Sequence, residues 1–432
     1  MKLLNFYYSN LSECGILEYT CLSEGGFVTI VSQLDCKNTR NYAMNSRYTA
    51  TVEDLHRFRD DLLDMNKQIM NKLYHSSISN THFRVNMLNH NTLNEGILNT
   101  ILVNSDQAKL KHVPKIDFKE FCLFNQCHNA GLMTVDKDLL DTPIKFFGYD
   151  YSKFYYNIMK RIRVPISSPV YTTMDTIDFD KLGYGICRCE VKCSNKHFWN
   201  IFNFNKTHHY THSTLKVLYQ YADTYDIRFN LLPADNKYNY NCVQYVDTIE
   251  LSKLMKNWFE IMDDMLSRCN SWLSKSYVAQ AWGNICKTKK ITVDKNELNN
   301  YDWDHIANTD QNNQYEYYNC KAESGKHSLI KSDDPFNSVL ARMKPFLTSY
   351  CRNYILNFVS EHELADQVIR IQTDGVAFKR KYNFSKIPYA PILEAKTTGL
   401  IIWKNVNSYF HVCKKCTEQY KYDKDIVHEC TI

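Results

Sequence analysis

Glycine and proline are scarce in this 432-residue chain, at 12 and 9 residues. That scarcity excludes collagen-like repeats, proline-rich spacers and Gly/Ser linkers. No run of about 18 apolar residues occurs, so no membrane span is expected. The opening residues, MKLLNFYYSN, lack the long apolar stretch and small-residue cleavage site of a secretory signal. An intracellular, soluble protein is therefore expected. Net charge is also slight, with 52 Lys and Arg against 47 Asp and Glu. So small an excess does not argue for nucleic-acid binding, though it permits a local basic groove. No internal repeat or low-complexity segment is present.

What the chain has in quantity is aromatic and sulfur-bearing side chains: 31 Tyr, 22 Phe and 16 Cys. Flat, partly polar rings pack in a core or stack on bases. Cysteines in a reducing compartment are expected to be buried thiols and not bridges. Hydrophobic residues at 44% and charged residues at 23% exclude a disordered chain. The length suggests two to four compact units.

Periodicity gives the coarse order. Short β-type stretches such as Phe27–Val31 come first. Around Val52–Tyr74, Leu55, Phe58, Leu62, Leu63 and Met65 fall near a 3.6 period. Asp60, Asp61 and Asp64 lie in that stretch and read as a solvated face. Phe146 to Met159 reads as a strand running into a helix, and Tyr184–Val191 alternates as a strand does. Residues 249–287 form a long helical block, 291–335 an irregular polar insertion, and 336–364 a helix. Gln367–Phe378 reads strand, turn, strand. Mixed order of this kind favours α+β over a doubly wound sheet.

Three segments carry chemistry. In the first, an apolar strand with Ile144, Phe146 and Phe147 ends at Asp150, with Tyr155 just beyond. A carboxylate there can hold a divalent cation, and it can equally be a turn former or N-cap. In the second, Val368, Ile369 and Ile371 precede Thr373-Asp374-Gly375, and Val376, Ala377 and Phe378 follow. This predicts a hairpin with Asp374 at its tip and Gly375 supplying a positive φ. In the third, Lys275, Ala279 and Trp282 share a helical face, and Gly283 is placed as a C-cap would be. A lysine there is either solvated or aimed at a triphosphate.

In this order the segments resemble motifs A, B and C of family B DNA polymerases, nearest the protein-primed branch of phages, viruses and linear plasmids. Family motif A, Asp-x-x-Ser-Leu-Tyr-Pro, is matched by Asp150 to Tyr156, which keeps the Asp and Tyr155 but not the Ser or Pro. Motif B, Lys-x-x-x-Asn-Ser-x-Tyr-Gly, is matched from Lys275 to Gly283, with Ala279, Gln280 and Trp282 in its middle. Motif C, Asp-Thr-Asp-Ser, is matched by Gln372-Thr373-Asp374-Gly375. Further likenesses are His128-Asn129-Ala130-Gly131, at the family's template-binding loop, and Thr348-Ser349-Tyr350-Cys351-Arg352, at a helix of protein-primed members. Leu393-Glu394-Ala395-Lys396 falls where the family contacts the primer. The resemblance spans residues 120–410.

The resemblance implies two-metal phosphoryl transfer. Asp150 and Asp374 would bind two Mg²⁺, with the Tyr151 main-chain carbonyl as a further ligand. Tyr155 would exclude ribonucleotides. Lys275, Ala279 and Gly283 would meet the incoming nucleotide, and Gly131, Arg352, Glu394 and Lys396 the nucleic acid. Ala279 stands in place of an Asn near the nucleotide, which touches affinity or fidelity. Gln372 replaces an acid that is not usually a direct ligand. Primer-template DNA and dNTPs are the implied partners, with a protein primer or other replication proteins beside them and no membrane. Basic runs at Lys160 to Arg163, Lys287 to Lys290 and Lys379 to Lys381 suit either solvent or a phosphate path. Lys253, Lys256 and Arg268 are further phosphate candidates.

At the C-terminus, Cys413, Cys416, His428 and Cys430 have spacing suited to one structural Zn²⁺, with His411 in reserve; unpaired thiols are the other reading. Cys187, Cys189 and Cys193 alternate along one strand and are read as strand packing.

The expected architecture is thus an α+β polymerase palm, an antiparallel sheet with helices, with inserted helical fingers. Its parts are an N-terminal domain (1–120), palm (121–220 and 291–410), fingers (221–290) and a Cys/His tail (411–432). No Asp-x-Glu strand occurs in 1–120, so no proofreading exonuclease is expected. The expected activity is DNA-directed DNA polymerase in viral replication. The rival is a catalytically weak or inactive polymerase-like subunit that binds nucleic acid.

Overall fold

A computed structural model describes residues 3–11, 16–23, 26–33, 110, 112–127, 130–236, 238–268, 272–294, 315–321, 326–331, 334–391 and 397–412. The helix expected at Val52–Tyr74, the pairs His128-Asn129 and Glu394-Lys396, and the Cys/His tail from Cys413 lie outside these. Contacts divide the chain into two units.

The first unit comprises Met1–Val113, Met159–Arg161 and Glu250–Lys287. Its strands Leu3–Leu11, Ile16–Ser23 and Gly26–Gln33 form an antiparallel meander. The helical block resolves into Leu251–Leu254, Lys256–Arg268 and Trp272–Ile285. Leu251, Leu254 and Met255 are buried on or just after the first helix, and Trp258, Phe259, Met262 and Leu266 on the second, where three- and four-residue spacing puts them on one face. The expected C-cap at Gly283 is corrected: the helix runs on to Ile285, and nothing lies within 4 Å of a Cβ built at Gly283.

The second unit comprises Pro114–Ile158, Ile162–Ile249 and Thr288–Ile432. Of the residues from 222 to 249, Ile227–Leu231 and Cys242–Tyr245 are strands of this unit's second sheet. Its first sheet has six strands in the order Ser408–Val412, Thr397–Asn405, Pro143–Asp150, Gly375–Phe378, Val368–Gln372 and Met133–Val135. Every neighbouring pair is antiparallel. On one face Phe146, Ile369, Ala377, Ile401 and Trp403 form a cluster. Tyr149 and Phe378 meet Phe384 and, through Phe378, Phe358 of the Met343–Glu361 helix. That helix is buried on nearly all sides, which marks it as central rather than amphipathic.

The second sheet runs Ile227–Leu231, Tyr184–Cys193, Cys242–Tyr245 and Val170–Thr172, with His209–Thr211 paired to Tyr184–Cys193. A third sheet, Lys290–Asp294, Lys326–Lys331 and Tyr315–Lys321, occupies the stretch expected to be irregular. Its strands carry charges and amides between their apolar residues, which hides the period-two pattern. Among the described residues, no helix is long and apolar enough to cross a membrane.

One ion pair fixes the unit from inside. Glu120, on the Phe118–Gln126 helix, receives both Arg342 Nε and an Arg342 terminal nitrogen at 2.8 Å. Tyr245 donates to the same carboxylate at 2.9 Å, and Arg342 also donates to the Pro114 and Lys115 carbonyls. Both partners are at most 1% exposed. Burial raises the Glu120 pKa against the opposing pull of Arg342 and Tyr245. Removing one member strands the other charge in a dry interior. Arg342→Met should cost about 3–5 kcal/mol in urea unfolding. Adding Glu120→Leu to it should restore a good part of that loss, and a double variant as unstable as the single one would contradict this account.

Candidate active site

Asp150 ends its strand directly opposite Gly375, the first residue of the strand after the hairpin. Gln372 pairs with Gly375, so Thr373 and Asp374 alone form the hairpin loop. The Tyr151 N–H donates to the Asp374 carbonyl at 2.8 Å. The two aspartates expected to act together are thus on hydrogen-bonded neighbours. The Thr373 hydroxyl donates to Asp374 Oδ1 at 2.9 Å, which orients that carboxylate.

The expected positive φ at Gly375 is corrected. The left-handed residue is Thr373, at φ 56°. A β-branched residue there costs on the order of 1–3 kcal/mol. Its amide donates to the Leu132 carbonyl at 2.8 Å, which holds it in place. Gly375 is needed for a different reason. A Cβ on it would lie 2.8 Å from Asp150 Oδ1, so any larger residue would displace the carboxylate.

Tyr155 follows on the short Phe154–Met159 helix and is half-buried. Burial pushes its phenol well above the ordinary range, and Cys351 and Asp374 push it the same way. It is therefore a neutral ring close to Asp374, hydrogen-bonded to the Gly131 backbone. A Cβ on Gly131 would stand 2.5 Å from the Tyr155 hydroxyl and 3.1 Å from Thr373 Cα. Gly131 thus lets the tyrosine and the hairpin meet. The Tyr151 ring is buried beside Phe154 and Tyr354, and its hydroxyl donates to the Tyr389 carbonyl.

Arg352, expected to meet nucleic acid, is only 2% exposed. Its guanidinium donates to the carbonyls of Gly131, Phe202 and Asn203. Desolvation lowers its pKa to about 10. Its position on the central helix is an inward one, where loop carbonyls take its donors. It positions the Gly131 loop.

Arg370 is a residue that sequence reasoning passed over. Its Nε donates to the Val406 carbonyl at 2.7 Å, and it lies over the Trp403 ring. Desolvation lowers its pKa, while Tyr409 and Asp150 hold it up. It also donates to Gln372, whose amide reaches Asn407 at 3.0 Å. Asp150, Arg370, Gly375, Trp403 and Tyr409 line a cavity of about 200 Å³. Only the alternation of the strand, with residues 370 and 372 on one face, could have signalled this.

Lys275, Ala279 and Gly283 lie on the Trp272–Ile285 helix, with Ala279 and Gly283 exposed. The basic runs have local partners. Lys160 pairs with Asp263, Lys289 with Asp334, Lys253 with Glu250, and Lys256 with Glu260. Arg163 donates to Thr248, and Lys379 to the Asp366 carbonyl. Cys187, read as strand packing, instead meets His212 and Cys242. Glu394, Lys396, Cys413, Cys416, His428 and Cys430 fall outside the described residues.

A mixed helix and antiparallel-sheet unit of this kind has a polymerase-like fold. The solved structure that carries this statement is Phi29 DNA polymerase complexed with primer-template DNA in a post-translocation binary complex. It matches 94% of this chain and 72% of its own length, with a TM-score of 0.52 and 11% identity. Phi29 DNA polymerase with primer-template DNA and incoming nucleotide substrates covers the same shares, at a TM-score of 0.49 and 12% identity. No family model and no curated protein matches the chain.

Gly131→Ala should lower stability by about 1–3 kcal/mol, the usual cost of overpacking. Tyr155→Phe, placed on top of it, should recover part of the loss by removing the clashing hydroxyl. Equal denaturation midpoints for wild type and Gly131→Ala would show that the contact is looser than described.

Proposed function

We propose that this chain is a DNA-dependent DNA polymerase that extends a primer 3′-hydroxyl with dNTPs. The observation that carries the reading is the pairing of Asp150 with Gly375, which brings the end of the Asp150 strand to the hairpin loop that carries Asp374, near a neutral tyrosine. The donor set fits hard divalent cations, since Asp150, Asp374 and the Tyr151 carbonyl are all oxygen ligands. Two Mg²⁺ bound there would lower the pKa of the attacking hydroxyl and stabilise the leaving pyrophosphate.

The chain's own groups do the rest. Gly375 leaves room for the Asp150 carboxylate, and the Thr373 hydroxyl fixes that of Asp374. The Tyr155 ring underlies the sugar and collides with a 2′-hydroxyl. Lys275 neutralises charge on the triphosphate, Ala279 and Gly283 flank the nucleotide, and Gly131, Glu394 and Lys396 face template and primer. In this reading 121–220 and 291–410 make the palm and 221–290 the fingers. Likeness to protein-primed viral and plasmid enzymes, from Thr348 to Arg352, extends it to a protein primer and viral replication. The tail residues Cys413, Cys416, His428 and Cys430 hold one structural Zn²⁺.

A second reading, a polymerase-like subunit that binds DNA without extending it, draws on the engagement of Gln372 by Arg370 and on the nearness of Arg370 to Asp150.

Primer extension separates the two. Asp150→Asn or Asp374→Asn should abolish Mg²⁺-dependent extension, leaving the fold and most DNA binding intact. Extension by either variant near the wild-type rate would sink the assignment, and DNA binding by a wild-type chain that never extends would favour the second reading. Tyr155→Ala should raise ribonucleotide incorporation relative to dNTPs at least tenfold, about 1.4 kcal/mol of lost discrimination. An unchanged ratio places the gate elsewhere.

A further inference from the structure

Three side chains that the polymerase reading leaves unused meet inside the second sheet. Cys187 and Cys242 stand directly opposite one another on paired antiparallel strands. His212 opens the His212–Gln220 helix, and Thr211 of the adjoining strand caps it. His212 Nε2 lies 3.1 Å from Cys187 Sγ and 3.6 Å from Cys242 Sγ. The three ligand atoms all fall within 4.8 Å of one another. None of the three residues is more than 1% exposed.

The surroundings are shaped for that arrangement. A Cβ on Gly185 would stand 2.6 Å from His212 Cε1 and 2.0 Å from the Val243 carbonyl oxygen, so glycine makes room for the imidazole. His212 Nδ1 lies 3.2 Å from the Gly183 carbonyl. A proton on Nδ1 donates there and leaves the Nε2 lone pair facing both sulfurs. Metal-bound histidines are oriented in the same way, through the other ring nitrogen. Zinc bonds of roughly 2.3 Å to sulfur and 2.0 Å to nitrogen put neighbouring tetrahedral ligands about 3.5–3.8 Å apart. The 3.6 Å from His212 Nε2 to Cys242 Sγ matches this, and the 3.1 Å to Cys187 Sγ is somewhat shorter.

We propose that Cys187, His212 and Cys242 supply three ligands to one Zn²⁺ in a buried site. Two sulfur–zinc bonds and one nitrogen–zinc bond form, and the thiol protons pass to solvent. Two strands and a helix start would be joined at one point. That helix carries Thr214, whose hydroxyl donates to Asn353 at 3.1 Å, next to the arginine that holds the Gly131 loop. The ion would therefore brace the back of the candidate active site without touching it.

The test uses the full chain with Cys413→Ser and Cys416→Ser, so that the tail does not contribute. Elemental analysis should find about one zinc per chain, lost on adding Cys187→Ser and Cys242→Ser. Because the latter variant can fail to fold, the tail-substituted protein is also exchanged with Co²⁺. Thiolate-to-cobalt charge-transfer absorption should appear, with d–d bands of a tetrahedral ion. Folded, tail-substituted protein that holds no zinc and gives no such absorption overturns the proposal. So does a Cys187–Cys242 disulfide found by peptide mass spectrometry of protein handled without oxidant.

Discussion

The backbone pairing between the Asp150 strand and the Asp374 hairpin is the constraint from which the rest of the candidate site follows. Segments more than two hundred residues apart in sequence are locked into register there, with Gly375 facing Asp150 and the Tyr151 amide on the Asp374 carbonyl. A slip of one residue in the Asp150 strand would turn its carboxylate to the opposite face of the sheet. The strands are antiparallel, so the end of one meets the start of the other, and two acids can share a rim without being sequence neighbours. The left-handed Thr373, the Gly131 loop and the Tyr155 ring are all arranged around that junction.

Buried cations hold this arrangement from behind. Arg342 closes on Glu120 and two carbonyls, and Arg352 closes on the carbonyls of Gly131, Phe202 and Asn203. Each guanidinium satisfies peptide groups that loops would otherwise bury unpaired. The polar interior of the unit is thus largely a means of fixing loops, and the aromatic clusters supply the bulk. This explains the tyrosine-rich composition: Tyr149, Tyr151 and Tyr245 each bury a ring and still hydrogen-bond through the hydroxyl.

Much of this was legible in the sequence wherever the signal was local. An apolar strand ending at Asp150, a Thr-Asp-Gly hairpin, and three- and four-residue spacing from Leu251 to Leu266 all reappear as elements. What escaped was decided by distant neighbours. Gly375 was assigned a turn conformation, yet its lack of a side chain serves the carboxylate across the sheet. Arg352 reads as a surface cation until its place on the inward side of a largely buried helix is seen. Cys187, His212 and Cys242 are 25 and 30 residues apart in sequence, with no spacing motif to join them, and only strand register brings them together. The stretch at 291–335 hid its three strands because charges interrupt the alternation.

The contact between Gly131 and Tyr155 has an evolutionary consequence. The hydroxyl occupies the space that any side chain at 131 would need, so the two positions share one volume. A lineage that shrinks the tyrosine lowers the cost of a side chain on the loop, whereas a lineage that keeps it favours glycine there. Among relatives of this chain, the pair should vary together as a unit, and the history of one position should be readable from the other.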